Sequence, residues 1–249
     1  MSASTPPRWS VVIPAYDEAE RLPPYLREVT AYFDGRDEPY EVLVVDDGSR
    51  DATGERVREL AARHPAVALH TLPENRGKGH AVRAGMTRAR GALRLMADAD
   101  GATAIGEVKR LEAAIQSGAD LAVGSRALQD ASVVVRARAH RKLSGQVFNG
   151  IARCLGVRAV VDTQCGFKLF RGPVADDLFT ALSTDGFGFD VELVLLAQRR
   201  GYRIAEVAIN WADQPGSKVG VLRNGPGMLV QIVSARARLA LTRSHGRPS

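Results

Sequence analysis

The feature that most constrains the fold is a regular alternation of short apolar runs with helix-spaced segments in the first half of the chain. The apolar runs predict strands at residues 9–15, 41–45, 67–72, 92–97 and 120–123. Strands that are apolar along their whole length are buried on both faces, which is typical of a largely parallel sheet covered by helices. The sequence therefore predicts an α/β fold with a Rossmann-like, mostly parallel sheet.

The spacing of apolar residues predicts the helices between these strands. Leu26, Val29 and Phe33 recur at helical spacing, and Ser49 or Asp51 can cap the helix that runs to Leu60. We expect one domain, with a first half at about 9–125 and a second at about 126–243. Its remaining elements are predicted as helices at 22–33, 78–89, 105–117, 143–155, 190–199 and 228–241, extended segments at 162–170 and 204–209, and a loop at 213–224.

Composition and charge exclude several classes of protein. The chain has 249 residues, of which 45% are hydrophobic, and two cysteines, which is no disulfide framework and no zinc spacing. Neither a signal peptide nor an apolar run long enough to span a membrane is found, so we expect a cytoplasmic protein.

The charge is unevenly distributed along the chain. Residues 1–125 hold 16 Lys+Arg and 19 Asp+Glu (net −3), whereas residues 126–249 hold 18 and 9 (net +9). Such a basic half suits phosphate groups or an anionic membrane, and aromatic residues do not interleave with it as nucleic-acid binding requires.

Polar clusters follow four of the predicted strands, at residues 14–18, 46–49, 98–101 and 124–126. Turn chemistry explains any one of them, since glycine, serine and aspartate favour turns. It explains four clusters less well, because ligands of such sheets bind beyond the carboxyl ends of the strands. The sequence therefore predicts a ligand site at this edge.

Asp98 and Asp100 follow the fourth strand directly. A spacing of two on an extended chain places both side chains on one side, where they can share a divalent cation. Mg²⁺ or Mn²⁺ is commonly held by one or two carboxylates together with substrate phosphates. We expect such an ion to neutralise a diphosphate leaving group.

The segment Asn75-Arg76-Gly77-Lys78-Gly79 opens the helix after the third strand. A glycine-rich backbone before a helix predicts N–H groups that face an anion, and Lys78 adds a positive charge. The segment is not a Walker A loop, and the dinucleotide fingerprint is missing after the first strand. These departures argue against a kinase and a dehydrogenase.

The basic half can supply a second anion site, from Arg126, the group at 136–141, Lys168 and Arg171. The alternative is a solvated surface, because arginines on a surface commonly have no other role. Asp190 follows Gly186-Phe187-Gly188-Phe189. It is either a catalytic base or an acidic residue that favours the start of a helix, and the sequence leaves both readings open.

The chain resembles family-2 glycosyltransferases of the GT-A type, and more narrowly the dolichyl-phosphate β-glucosyltransferases. The likeness runs from about Ser10 to about Arg238. The segments that carry it are Val12-Ile13-Pro14-Ala15-Tyr16-Asp17-Glu18, Val45-Asp46-Asp47-Gly48-Ser49, Asn75-Arg76-Gly77-Lys78-Gly79, Ala97-Asp98-Ala99-Asp100-Gly101-Ala102-Thr103, Gly124-Ser125-Arg126-Ala127, Asp162-Thr163-Gln164-Cys165-Gly166-Phe167-Lys168-Leu169-Phe170, Phe189-Asp190-Val191-Glu192-Leu193, Asn210-Trp211 and Gly216-Ser217-Lys218.

The resemblance implies a role for several single residues. The nucleotide-sugar ligands would be Pro14, Ala15, Tyr16, Glu18, Asp46, Gly77, Lys78, Asp98, Ala99 and Asp100, with Asp98 and Asp100 also holding the metal. Arg126 and Arg141 would face the acceptor phosphate, and Lys168 of the predicted second anion site joins them as a candidate. The first half of the chain is then the nucleotide-sugar half and the second the acceptor half.

The resemblance also implies the reaction: inverting transfer of a sugar, glucose in this family, from a UDP-sugar to a polyprenyl phosphate, with Mg²⁺ or Mn²⁺. A phosphate acceptor is a nucleophile at neutral pH without a base, since its second pKa lies near ~6. A hydroxyl acceptor would need one, and Asp190 would be the first candidate. The alternatives left open are the same donor chemistry on a soluble acceptor, a nucleotide-sugar-binding protein without turnover, and a nucleotidyltransferase. Peripheral contact with the cytoplasmic face of a membrane would involve residues 136–142 and the final helix, which can equally pack on the core.

Overall fold

The fold is built around one seven-stranded sheet. The computed structural model describes residues 6–136, 150, 152–214 and 221–241. The strands of this sheet are β1 (Trp9–Ala15), β2 (Tyr40–Asp46), β3 (Val67–Thr71), β4 (Leu93–Ala97), β5 (Leu121–Ser125), β7 (Phe167–Arg171) and β8 (Ile204–Ala208), while β6 (Val135–Arg136) and β9 (Trp211–Ala212) pair separately.

Helices connect most of these strands. They are α1 (Leu22–Asp34), α2 (Thr53–Ala61), α3 (Lys78–Met86), α4 (Val108–Gln116, preceded by a 3₁₀ turn at Ile105–Glu107), α5 (Gly172–Ala181), α6 (Phe189–Arg199) and α7 (Val221–Leu241). In α1, the residues that the sequence pattern singled out, Leu26, Val29 and Phe33, are all buried. The predicted cap of α2 is wrong, because the N-cap residue is Ala52 and no side chain caps the helix. Asp51 lies next to the start of α2 and accepts a hydrogen bond from the Thr53 N–H over 2.9 Å.

The strand order is β3-β2-β1-β4-β7-β5-β8. All neighbours are parallel except at β7, which runs antiparallel to both β4 and β5. The predicted, mostly parallel sheet is therefore confirmed. The antiparallel strand has a direct consequence for the site, because Phe167 pairs with Ala97 and the segment before β7 thereby lies beside Asp98.

Two apolar clusters cover the two faces of the sheet. Alternate residues of β1 enter opposite clusters, with Val12 in one and Val11 and Ile13 in the other. The first cluster joins the sheet to α3, α5 and α6, and the second joins it to α1 and α4. Burial on both faces explains why the strands are apolar along their whole length.

The C-terminal helix differs from its prediction at its start. It begins at Val221, so the predicted loop at 213–224 is wrong for its last residues. Its inner side packs into the core through Met228, Ile232 and Ala235. Most of the helix predicted at 143–155 lies outside the described residues, as does the basic group after Arg136. In the described part of the chain, no helix combines the length and the apolar character that a membrane crossing requires.

Candidate active site

The carboxyl ends of the strands converge, as the sequence predicts. The first contact joins β1 and β2, where the Asp47 N–H donates to Ala15 O over 2.8 Å. The loops that follow are cross-linked as well, because the Asp17 N–H donates to Ser49 Oγ (2.9 Å) and the Glu18 N–H donates to Thr53 Oγ1 (2.7 Å). These bonds hold the two loops as one surface above the sheet.

The predicted nucleoside residues lie on this surface at different depths. Pro14 and Ala15 are buried, while Tyr16 and Glu18 are half-buried. Asp46 is 4% exposed, and its Oδ1 accepts a hydrogen bond from the Ser49 N–H over 2.9 Å. Asp46 therefore shapes the turn after β2 in addition to any contact with a ligand.

Arg21, which the sequence did not single out, contacts two of the predicted site residues. It binds Glu18 through Nε and Oε2 (2.7 Å), and its Nη1 lies 4.0 Å from Asp100 Oδ2. It thus joins the loop after β1 to the loop after β4. The only signal in the sequence is the i,i+3 spacing of Glu18 and Arg21, which is common on exposed helices as well.

The glycine-rich loop works differently from its prediction. Its N–H groups do not await an anion, because Arg76 N and Gly77 N donate to Asp47 (3.1 and 2.8 Å) and His80 N donates to Asp185 O (3.0 Å). The predicted N–H cradle is therefore wrong for these groups: Asp47 is the anion that the Arg76 and Gly77 N–H groups bind, and the His80 N–H binds a backbone carbonyl.

The glycines of this loop serve close packing instead. Gly77 has a φ of +108°, and a Cβ at this position would lie 2.7 Å from Asp185 O. A Cβ at Gly79 would lie 2.3 Å from Thr184 O. The loop is pressed against residues 184–186, and only the Lys78 side chain turns towards the carboxylates after β4.

Asp98 stands between the two halves of the chain. Its N–H donates to Gly166 O over 3.0 Å, and a Cβ on Gly166 would lie only 1.9–2.3 Å from its carboxyl atoms. Lys78 Nζ lies 2.6 Å from Asp98 Oδ1. The side chain of Asp98 is 36% exposed, so its carboxylate faces the open edge of the sheet.

Asp100 completes the acidic pair. Burial and the neighbouring charge of Asp98 raise its pKa above the ordinary value. Its Oδ1 accepts a hydrogen bond from the Ala102 N–H (3.0 Å), and the intervening Ala99 is buried. Two adjacent carboxylates with mutually unfavourable charges fit a hard divalent cation, which prefers oxygen ligands and would relieve the repulsion. Among the described residues no third acidic or histidine side chain joins them, which is compatible with Mg²⁺ or Mn²⁺ shared with substrate phosphates.

Lys168 and Asp190 form a buried ion pair beneath this site. Lys168 Nζ lies 2.5 Å from Asp190 Oδ1 and donates to Cys165 O over 2.6 Å. The Lys168 side chain has no exposed surface, so in this arrangement it cannot make the direct phosphate contact that the sequence predicted. That prediction is wrong for Lys168. Asp190 is held in the same pair, and burial raises its pKa although Lys168 and Lys78 act against this.

Arg126, a predicted acceptor ligand, lies directly after β5. Its Nε and Nη2 form a fork with Asp162 (2.7 and 2.8 Å), and its guanidinium stacks on the ring of Trp211 at 5.4 Å. Burial would raise the pKa of Asp162, but the hydrogen bonds and the charge of Arg126 outweigh it and lower that pKa. Asp162 and Trp211 fix the direction of Arg126, a role that no spacing in the sequence reveals. Arg141, the other predicted acceptor ligand, lies outside the described residues.

Comparison with known proteins decides the family. The model of Glycosyl transferase family 2 matches residues 10–179, which include both strand-end carboxylates and β7. The chain belongs to this family. It is a glycosyltransferase, and the resemblance stated from its motifs is confirmed.

Two relatives place this family-2 glycosyltransferase more closely. It is 40% identical over 220 residues to a dolichyl-phosphate beta-glucosyltransferase of Trichomonas vaginalis, covering 84% of this chain and 65% of that protein. It is also 40% identical over 223 residues to the dolichyl-phosphate beta-glucosyltransferase of Drosophila melanogaster, covering 84% and 68%. The chain thus spans about two thirds of the length of these relatives.

A solved structure confirms the fold. Glucosyl-3-phosphoglycerate synthase from Mycobacterium tuberculosis, in complex with Mn²⁺ and UDP-glucose, superposes with a TM-score of 0.69 over 96% of this chain and 81% of that one. The two sequences are 19% identical, so the likeness is one of fold. The GT-A architecture predicted for this glycosyltransferase is confirmed by it.

Proposed function

We propose that this protein transfers glucose from UDP-glucose to a polyprenyl phosphate, with inversion to a β-linked lipid phosphosugar. The observation that carries the proposal is the opposition of two charged sites across β7. Asp98 and Asp100 form an acidic site on the β4 side, and Arg126 forms a cationic site on the β5 side. The names of the 40%-identical relatives supply the sugar and the lipid phosphate.

The donor lies on the acidic side. Pro14, Ala15, Tyr16, Glu18 and Asp46 line the surface on which the nucleoside rests, and Asp98, Ala99 and Asp100 lie next to the diphosphate. Asp98 and Asp100 hold Mg²⁺ or Mn²⁺, and the complex of the fold relative with Mn²⁺ and UDP-glucose supports this choice. When bound, the ion neutralises the charge that develops on the leaving diphosphate.

The acceptor phosphate lies on the basic side. Arg126 is pre-oriented by Asp162 and Trp211, so it can direct a phosphate without first losing side-chain freedom. Arg141 is a further acceptor ligand by the resemblance of its segment. Because a phosphate monoester is already anionic at neutral pH, this reaction needs positioning more than a general base. The commitment of Asp190 to Lys168 agrees with that requirement.

Contact with a membrane brings such an acceptor within reach. The outer side of α7 exposes Leu229 (41%), Val230 (65%) and Val233 (49%), and Arg236 is exposed on the next turn. Residues 214–249 contain six Lys and Arg residues and no Asp or Glu. An apolar strip in a purely cationic segment is complementary to an anionic bilayer, so we assign α7 to peripheral contact with the cytoplasmic membrane face.

The test is a transfer assay with matched acceptors. Purified protein, Mn²⁺ and labelled UDP-glucose are incubated with a polyprenyl phosphate in detergent, with 3-phosphoglycerate, or with no acceptor. We expect label in the organic phase only with the polyprenyl phosphate, and loss of that product in Arg126→Gln but not in Arg56→Gln, which removes an exposed arginine paired with Glu59. Transfer to the soluble phosphate alone would overturn the lipid acceptor, and failure to bind UDP-glucose would overturn the donor.

A further inference from the structure

Lys78 forms an ion pair with Asp98, one of the two carboxylates proposed to hold the metal ion. It is the first residue of α3, and its Nζ is 2.6 Å from Asp98 Oδ1. The lysine side chain is 18% exposed and the aspartate 36%, so the pair lies at the wall of the open site and not in the core. Asp98 is thus neutralised by a cation of the protein itself.

The other cations near the site have different partners and do not neutralise Asp98. Lys168 is bound to Asp190 and to Cys165 O, and Arg21 is bound to Glu18 and stays 4.0 Å from Asp100. Among the described residues, Lys78 is the cation in ion-pair contact with Asp98. Asp98 cannot swing away from it towards β7, because its carboxyl group is packed against Gly166.

We propose that Lys78 is a transferable counter-charge for the donor site. It binds Asp98 while no divalent ion is present, and it moves to the donor diphosphate when the ion and the nucleotide bind together. The four-carbon stem of lysine allows such a movement while the backbone of α3 stays in place. This inference rests on the proposed donor chemistry, but not on the identity of the acceptor.

The transfer couples the two ligands. Mn²⁺ alone must displace Lys78 from Asp98, and the displaced ammonium then gains no partner. With UDP present, the ammonium leaves the Asp98 carboxylate and binds the diphosphate instead. Lys78 therefore weakens the binding of Mn²⁺ alone and strengthens the binding of UDP in its presence, which is a positive coupling between the two sites.

Binding measurements with Lys78→Met test the inference. We expect the variant to bind Mn²⁺ alone on the order of tenfold more tightly, and UDP at saturating Mn²⁺ on the order of tenfold more weakly, within the range of measured couplings. Free Mn²⁺ is read by electron paramagnetic resonance and UDP binding by calorimetry. Lys78→Arg keeps the charge and should retain weak Mn²⁺ binding. Arg76→Met removes a cation from the same loop that pairs with Asp185, and both affinities should stay within about twofold.

A second measurement needs no variant. The rate at which an amine-reactive ester acylates Lys78, read by mass spectrometry, should rise with Mn²⁺ alone and fall when UDP is added with it. Unchanged rates would overturn the inference, and so would tighter Mn²⁺ binding by Lys78→Met that is equal with and without UDP, because a merely adjacent charge acts in that way. Failure of the unaltered protein to bind UDP at all would instead overturn the proposed function.

Discussion

The ammonium of Lys168 and the carboxylate of Asp190 lie 2.5 Å apart, with 0% and 4% of their side chains exposed. The sequence offered Lys168 as a phosphate ligand and Asp190 as a base. The structure pairs them beneath the site. Each charged side chain can be buried because the other one neutralises it. The ion pair connects β7, which carries Lys168, to the start of α6, which carries Asp190.

Asp190→Asn should therefore destabilise the protein by about 3–5 kcal/mol, because it leaves Lys168 buried without its counter-charge. Urea unfolding measures this loss. The double variant Lys168→Met, Asp190→Leu should recover most of the stability, since an apolar pair needs no compensation. If Asp190 were a catalytic base, the stable double variant would stay inactive and the unaltered enzyme would show its pKa in the pH–rate profile.

Asp98→Asn and Asp100→Asn should each reduce transfer by about 100-fold or more, because an amide cannot neutralise the divalent ion that supports the leaving group. Transfer rates and Mn²⁺ binding are measured together. Glu59→Gln is the matched control, since this carboxylate is 53% exposed and pairs only locally with Arg56. Full activity of either variant in the presence of a chelator would contradict the metal assignment.

Arg126→Gln should raise the KM for the acceptor phosphate on the order of tenfold to a hundredfold, the cost of one or two charge-assisted hydrogen bonds. The affinity for UDP should not change.

The Arg126→Gln variant should also become sensitive to acid. The lowered pKa of Asp162 gives stability that is complete above its unfolded pKa of ~3.9 and is lost as pH falls through the lower folded value. Without Arg126, burial raises that pKa, and the acid unfolding midpoint should move to higher pH.

The two cysteines should differ sharply in reactivity. Burial raises the pKa of Cys165 to about 12, whereas Cys154 is exposed. At pH 8 Cys165 is therefore protonated, and the thiolate is the reactive form. A thiol-specific chromogenic reagent should therefore label one cysteine quickly and the second only after unfolding. Cys154→Ser should remove the fast phase, and two fast thiols in the native protein would contradict the packing around Gly166.

Val230→Glu on the outer side of α7 should weaken binding to phosphatidylserine-containing vesicles by about tenfold, because it replaces an inserted apolar side chain with a charge of the wrong sign. Co-sedimentation measures the bound fraction. Ala31→Glu introduces the same charge at an exposed position of α1 and should have no effect. Equal binding to neutral and anionic vesicles, or to none, would contradict the proposed contact.

The sequence predicted what depends on local patterns. Apolar runs identified the strands, and the residues after them identified the edge that carries the site, because strand ends converge in any parallel sheet. Interactions between distant segments could not be predicted. The fork between Arg126 and Asp162 and the pair of Lys168 with Asp190 depend on the insertion of β7, and nothing in the spacing of these residues encodes it. The glycine-rich loop misled for a related reason, since its N–H partners, Asp47 and Asp185, lie far away in the chain.

The reversed strand β7 also limits how such enzymes can be recombined. A chimaera that exchanged everything after β5 to obtain a new acceptor would exchange Gly166 too, the residue packed against Asp98. The exchanged half would therefore bring its own residues into contact with Asp98, and a mismatch there would impair the site after β4 even if the new acceptor fitted. A swap is expected to succeed only when it keeps residues 162–171 with the first half.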